Sequence, residues 1–175
     1  MKRKLILAAL IFLCFILQTT LFKMSSFLIV SPNLLLIISC AIGFMQGKKE
    51  GIMAGFFAGI ITDLTYGRLF GRYALIYLLI GWFCGRYANI YFDEDLKVPL
   101  ALISGSDLVF NLYVYLTGFL FRGRLDIGFY LKNIMLPEMI WTFLVGIVLY
   151  RILYVINHDL EEKEKEGRQS LWIRE

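Results

Sequence analysis

The chain has 175 residues, 59% of them hydrophobic, and 18 basic against 14 acidic residues leave a formal charge of +4. Soluble domains run roughly 45–50% apolar, whereas the mean hydropathy here is +0.69, so long uncharged runs between short charged loops read as a membrane bundle. The small, scattered charge excess excludes a nucleic-acid surface and reads as membrane orientation, and the length suits one bundle without a second domain.

Met1-Lys2-Arg3-Lys4 followed by apolar Leu5–Leu17 imitates a signal peptide. The polar Gln18-Thr19-Thr20 just after it offers no small-x-small cleavage site, so 5–22 reads as an uncleaved first helix. A span needs ~20 apolar residues to cross ~30 Å of hydrocarbon. The further candidates are 28–46, 51–66, 73–92, 98–121 and 134–156. All should be helical, because the bilayer offers backbone groups no water partner and the runs lack the alternation of a barrel. The predicted fold is therefore all-α and integral to the membrane: a bundle of six transmembrane helices over 1–156, then a charged cytoplasmic tail over 157–175.

The uncharged part of 51–66, Gly51–Thr62, is short for a span and would also suit a re-entrant hairpin. Charge counting separates the two. With six spans and both termini cytoplasmic, Lys23, Arg68, Arg72, Arg122, Arg124 and Lys132 lie outside, leaving 12 of the 18 basic residues inside. A hairpin inverts the later helices and gives 10 against 8, so the positive-inside rule favours six spans. The connection 122–133 carries Leu125, Ile127, Phe129 and Leu131 beside Arg122, Arg124 and Lys132, which predicts a loop on the membrane surface. The tail from Asn157, with its run Glu161-Glu162-Lys163-Glu164-Lys165-Glu166, reads as a fraying continuation of the last helix. It is either solvated or a docking tail for a cytoplasmic partner. Cys14, Cys40 and Cys84 lie in apolar runs and fit no metal spacing, so they read as small core hydrophobes.

Several residues are out of place in a membrane. Gly51, Gly55 and Gly59 recur every fourth residue, and one more step reaches Asp63. Tyr73, Tyr77, Gly81 and Gly85 repeat that spacing in the next segment. Small residues four apart let helices approach closely, so these faces meet each other, or offer a surface to a second protein or a second copy of the chain. Asp107 sits mid-helix, where a charge costs ~2.5–3.5 kcal/mol on insertion scales. Ser104, Asp107, Asn111 and Tyr115 make one polar stripe that must face the interior, as an interhelical ladder or as the wall of a solute site. Asp63 and Glu138 are placed nearer the outer surface with Arg68, Arg72, Arg122, Arg124 and Lys132, either as a cluster that fixes loops or receives a partner, or as interfacial snorkelling. Glu138 follows Pro137 in what reads as the first turns of its helix, where a negative charge is favoured.

His158, the only histidine, lies in the tail, so no nucleophile–His–acid set exists. There is no GxxxxGK[ST], HExxH or EF-hand loop. The chain reads as a non-enzyme with no cofactor and no metal.

Over most of its length, and most specifically over residues 31–86, the sequence resembles the MreD family of bacterial rod-shape-determining membrane proteins. The residues that carry the resemblance are Pro32-Asn33-Leu34-Leu35 opening the second helix, then a short basic loop and the helix with Gly51, Gly55, Gly59 and Asp63-Leu64. Gly67, Gly71, Ala74-Leu75-Ile76-Tyr77, Gly81 and Gly85 complete it. Family members often carry an asparagine shortly after a proline in the last helix; here Pro137 is followed by Glu138-Met139-Ile140-Trp141-Thr142. The resemblance implies a role in cell-wall elongation at the bacterial cytoplasmic membrane, as scaffold or regulator of peptidoglycan synthesis. The implied partners are the single-pass MreC above all, the actin-like MreB, a RodA-type polymerase and a class B penicillin-binding protein. The family's fold is similar to the S-component of energy-coupling-factor transporters, which keeps a solute- or vitamin-binding subunit as the rival reading.

Overall fold

The computed structural model describes residues 2–24, 31–66, 70–88, 97–118 and 127–172, and among these there is no strand. The helices are α1 (Lys2–Met24), α2 (Leu34–Gln46), α3 (Lys48–Tyr66), α4 (Arg72–Arg86), α5 (Lys97–Gly118), α6 (Ile127–Tyr130) and α7 (Leu136–Trp172). A π-helical turn, Leu131–Met135, joins α6 to α7 without a break.

The boundaries follow from local chemistry. The second helix starts at Leu34 rather than at residue 28, because Asn33 caps it by accepting from the Leu36 N–H at 3.2 Å. Of the predicted stretch, 28–30 lie outside the described residues. Gly47, with φ 92°, is the whole connection between α2 and α3; a positive φ is where glycine ends a helix without steric cost. The basic Lys48 and Lys49 are then already helical, and α3 runs through all of 51–66 as one helix of 19 residues, ~28 Å long, with no hairpin. The fourth helix ends at Arg86, with Tyr87 as its C-cap, earlier than the predicted residue 92; 89–96 lie outside the described residues.

The predicted surface loop at 122–133 needs the largest correction. Residues 122–126 are not described, but 127–133 are helical and Tyr130 is buried. Pro137 has no N–H to donate one turn back and its ring crowds that carbonyl. The chain absorbs this by widening the preceding turn, where the Leu136 N–H bonds the Leu131 carbonyl. The proline therefore does not open the last helix but sits within it.

Every residue of Leu34–Gly43 is buried, and α2 packs against α1, α3, α4, α5 and α7. It is the axis of the bundle. Outward faces are apolar: Phe57, Leu79, Leu112, Val148 and Ile152 are about half exposed or more. Asn33, Ser39, Thr62, Asp63, Ser106, Asp107, Asn111 and Thr142 are buried instead. Large apolar residues outside and carboxylates inside invert the soluble pattern and suit a hydrocarbon surround. Lys97–Gly118 and Ile127–Leu160 are long and apolar enough to cross a membrane; the apolar helices Ile6–Thr20 and Leu34–Gln46 are shorter.

Candidate functional site

The glycines of α3 and α4 are used against each other. A Cβ on Gly55 would collide with the Tyr77 carbonyl, one on Gly59 with the Cα of Ala74, and one on Gly81 with the Gly51 carbonyl. A Cβ on Gly85 would lie 2.6 Å from the Cα of Lys48, and one on Gly43 would lie 2.7 Å from the Gly81 carbonyl oxygen. Backbone therefore touches backbone along the α3–α4 pair, with α2 closing the third side, and this face is occupied within the chain.

Asp63 lies at the end of that face and is 3% exposed. Its Oδ2 accepts from the N–H groups of Gly71 (3.1 Å) and Ala74 (2.8 Å), and its Oδ1 accepts from that of Tyr73 (3.0 Å). Gly71, at φ 94°, is the N-cap residue of α4 and has no side chain to cap with. A carboxylate from α3 thus satisfies the start of α4 and its positive dipole end. Arg72 turns aside: its guanidinium lies 4.5 Å from the centre of the Tyr73 ring and donates to the Tyr73 hydroxyl.

Asn33 is a second junction. Its Oδ1 accepts from the Tyr77 hydroxyl at 2.6 Å, and its N–H donates to Thr142 Oγ1 at 3.2 Å. One residue beside the buried Pro32 ties α2 to both α4 and α7. Tyr77→Phe is expected to lower stability by about 0.5–1.5 kcal/mol, the loss of one hydrogen bond. Asn33→Ala should cost more, since it also removes a helix cap and strands the tyrosine hydroxyl. Thermal unfolding of the purified protein in detergent reads both; equal midpoints for the two variants would remove Asn33 from this role.

The third junction joins α5 to α7 through residues four apart on each. Thr142 adjoins Asp107, and Asn111 adjoins Glu138. Asp107 is 0% exposed, and neither of its carboxyl oxygens makes a hydrogen bond of normal geometry. Asn111 donates to the Asp107 carbonyl at 3.1 Å, and the Tyr130 hydroxyl donates to the Asn111 carbonyl at 3.3 Å. Tyr115 packs its ring 5.1 Å from that of Tyr130. The stripe begins one residue pair later than the spacing predicts. Ser104 is only half-buried and bonds the Leu100 carbonyl of its own helix, while Ser106 is buried with its Oγ 3.5 Å from Cys84 Sγ.

Among the described residues, Asp63 and Glu138 do not share one outer cluster. Asp63 binds backbone, and Glu138, half-buried, stands beside Asn111 of α5, because the helix that holds it already begins at Ile127, ~16 Å further back. Gly67, Arg68, Arg122 and Arg124 lie outside the described residues, and Lys132 is exposed. Sequence reasoning missed Ser106, Tyr130 and Thr142 as interior groups. For Tyr130 the signal was helical spacing counted back through Pro137; Thr142 lies one turn beyond Glu138, and Ser106 one residue before Asp107 on α5. Among the described residues, the only metal-compatible triplet is His158, Asp159 and Glu162, exposed along one face of α7. The arrangement joins helices and offers no nucleophile–base pair.

The sequence model described as rod shape-determining protein MreD matches residues 2–157. The chain belongs to the MreD family. Comparison with curated proteins and with solved structures returned no match. The MreD match spans α1 to the apolar end of α7, so all three junctions lie inside it. As an MreD-family member the chain is a membrane protein of the rod-shape-determining system, not of a known enzyme family.

Proposed function

We propose that this protein is a non-enzymatic component of the cell-wall elongation complex of the bacterial cytoplasmic membrane. It crosses the membrane six times with both termini cytoplasmic, binds MreC, and so helps regulate peptidoglycan synthesis by a RodA-type polymerase and a class B penicillin-binding protein, in register with MreB. The observation that supports this best is that the polar residues placed at membrane depth join helix to helix: Asp63 to α4, Asn33 to α4 and α7, Asn111 towards Glu138. A rigid bundle of this kind acts by holding partners in one arrangement, which biases their activity through differential binding. We read its fold as a six-helix bundle similar to the S-component of energy-coupling-factor transporters. A solute site on the Asp107 stripe is disfavoured, because Asp107 has no surface open to a ligand.

The test is recovery of the tagged protein from its native membrane in mild detergent, with identification of what accompanies it. MreC together with wall-synthesis proteins is the expected result. A transmembrane coupling subunit with two ATPases would overturn the reading.

A further inference from the structure

One face of α3 is taken by α4; the opposite face is not. Glu50, Met53, Ala54, Phe57 and Ile61 recur at three- and four-residue steps and line a groove of about 260 Å³ between α3 and α1. The steps keep them on one side of the helix over ~16 Å. The floor is buried, with Ile11 4%, Ile42 3% and Ala54 6% exposed, while the rims are open, with Phe12 57% and Phe57 53% exposed. A buried apolar floor, lowest at Ala54, between large open rims is a surface into which a neighbouring transmembrane helix can insert its side chains. The volume falls below the ~300–1,000 Å³ of small-molecule sites.

Glu50 is the single charged residue of the lining. It is half-buried, and among the described residues it makes no hydrogen bond or ion pair. It stands at the end of the groove next to the α2–α3 turn. A carboxylate there repels lipid phosphate and attracts an ammonium or guanidinium. Single-pass membrane helices carry such groups on their cytoplasmic flank.

We propose that the groove between α1 and α3 docks one transmembrane helix of a partner protein, whose basic cytoplasmic flank pairs with Glu50. This rests on the function proposed above, which supplies a single-pass partner and puts the α2–α3 turn on the cytoplasmic side. The surface differs from the glycine faces that the sequence offers for a partner, since those are closed within the chain. Docking here also braces α1, which otherwise packs only on α2 and α3 among its stronger contacts.

The experiment is the same recovery from native membranes, run with four chains: wild type, Glu50→Lys, Ala54→Phe and, as control, Leu79→Phe on the lipid-facing side of α4. The expected result is that Glu50→Lys and Ala54→Phe each lower recovered MreC about tenfold or more, that Leu79→Phe recovers the wild-type amount, and that a Lys/Arg→Glu change on the partner's cytoplasmic flank restores binding to Glu50→Lys. Charge-swap rescue is a readout that a misfolded variant does not give. Wild-type recovery by both groove variants overturns the groove and leaves the proposed function standing. A wild type that recovers no single-pass partner overturns both. Release of a bound phospholipid by Ala54→Phe, with MreC retained, makes the groove a lipid site and overturns the docking proposal.

Discussion

Gly55→Leu and Gly81→Leu are expected to abolish recovery of folded, monodisperse protein, while Gly105→Ala leaves it unchanged. At Gly55 and Gly81 even a methyl group runs into the carbonyl of the facing helix, Tyr77 and Gly51 respectively. Backbone cannot rotate away as a side chain does, so the helices must separate. Overpacking in a close-packed interior costs about 1–3 kcal/mol, and separating α3 from α4 also loses the cap that Asp63 gives α4. A net stability typically of only about 5–15 kcal/mol is cut by a large share at its lower end, and a leucine, larger than the methyl group that already collides, cuts it further. At Gly105 nothing lies within 4 Å, and alanine gains about 1 kcal/mol of helix propensity over glycine. Size-exclusion profiles and thermal midpoints in one detergent decide the matter; a Gly55→Leu protein that melts with the wild type would show that the α3–α4 contact is not close.

The second large effect is at Asp63. Replacing it with leucine leaves the N–H groups of Gly71, Tyr73 and Ala74 without their acceptor. Stranding the buried Ala74 donor costs about 1–3 kcal/mol, and the half-buried Gly71 and Tyr73 donors cost less. Insertion into the membrane should survive, because the substitution makes α3 more apolar. The start of α4 should loosen, and with it recovery of MreC should fall. Asp63→Asn keeps one acceptor oxygen and gives up the charge facing the helix dipole, worth about 0.3–2 kcal/mol. It should fall between wild type and leucine. Hydrogen exchange at the amides of residues 71–74 reads the contact directly. Wild-type protection of those amides in Asp63→Leu would sink this account, whatever the variant's overall stability.

Much of the architecture was legible in the sequence. The apolar runs mark the helices, and four-residue spacing picks out Gly51, Gly55, Gly59 and the facing Gly81 and Gly85. Boundaries were less legible. Leu28–Val30 are as apolar as the helix C-terminal to them, so hydropathy alone extends the second span backwards past the Asn33 cap. Pro137 was misleading for a physical reason: proline usually marks a helix start, and the remedy used here, a widened turn at Leu131–Met135, leaves no mark in composition. That one misreading moved Tyr130 into a surface loop and Glu138 towards the surface. The partners of Asp63 were illegible in kind, since they are backbone N–H groups and no residue type announces them. The α1–α3 groove was equally hidden, because the lining residues of α3 look like any lipid-facing stripe until α1 is beside them.

The last helix has a mechanical consequence. α7 is 37 residues long, ~55 Å, against ~30 Å of hydrocarbon, and it is anchored by Thr142 on Asn33 and again by Asn157, which accepts from Gln46 Nε2 at 2.8 Å. Tyr150 and Leu153 between those anchors are buried, so α7 is a lever whose free arm is the 15 residues beyond Asn157. A bend of about 10° at Asn157 carries Trp172, ~22 Å further along, through ~4 Å. A shift too slight to disturb packing around α2 is thereby geared up, at the far end of the rod, to a displacement the size of a side chain.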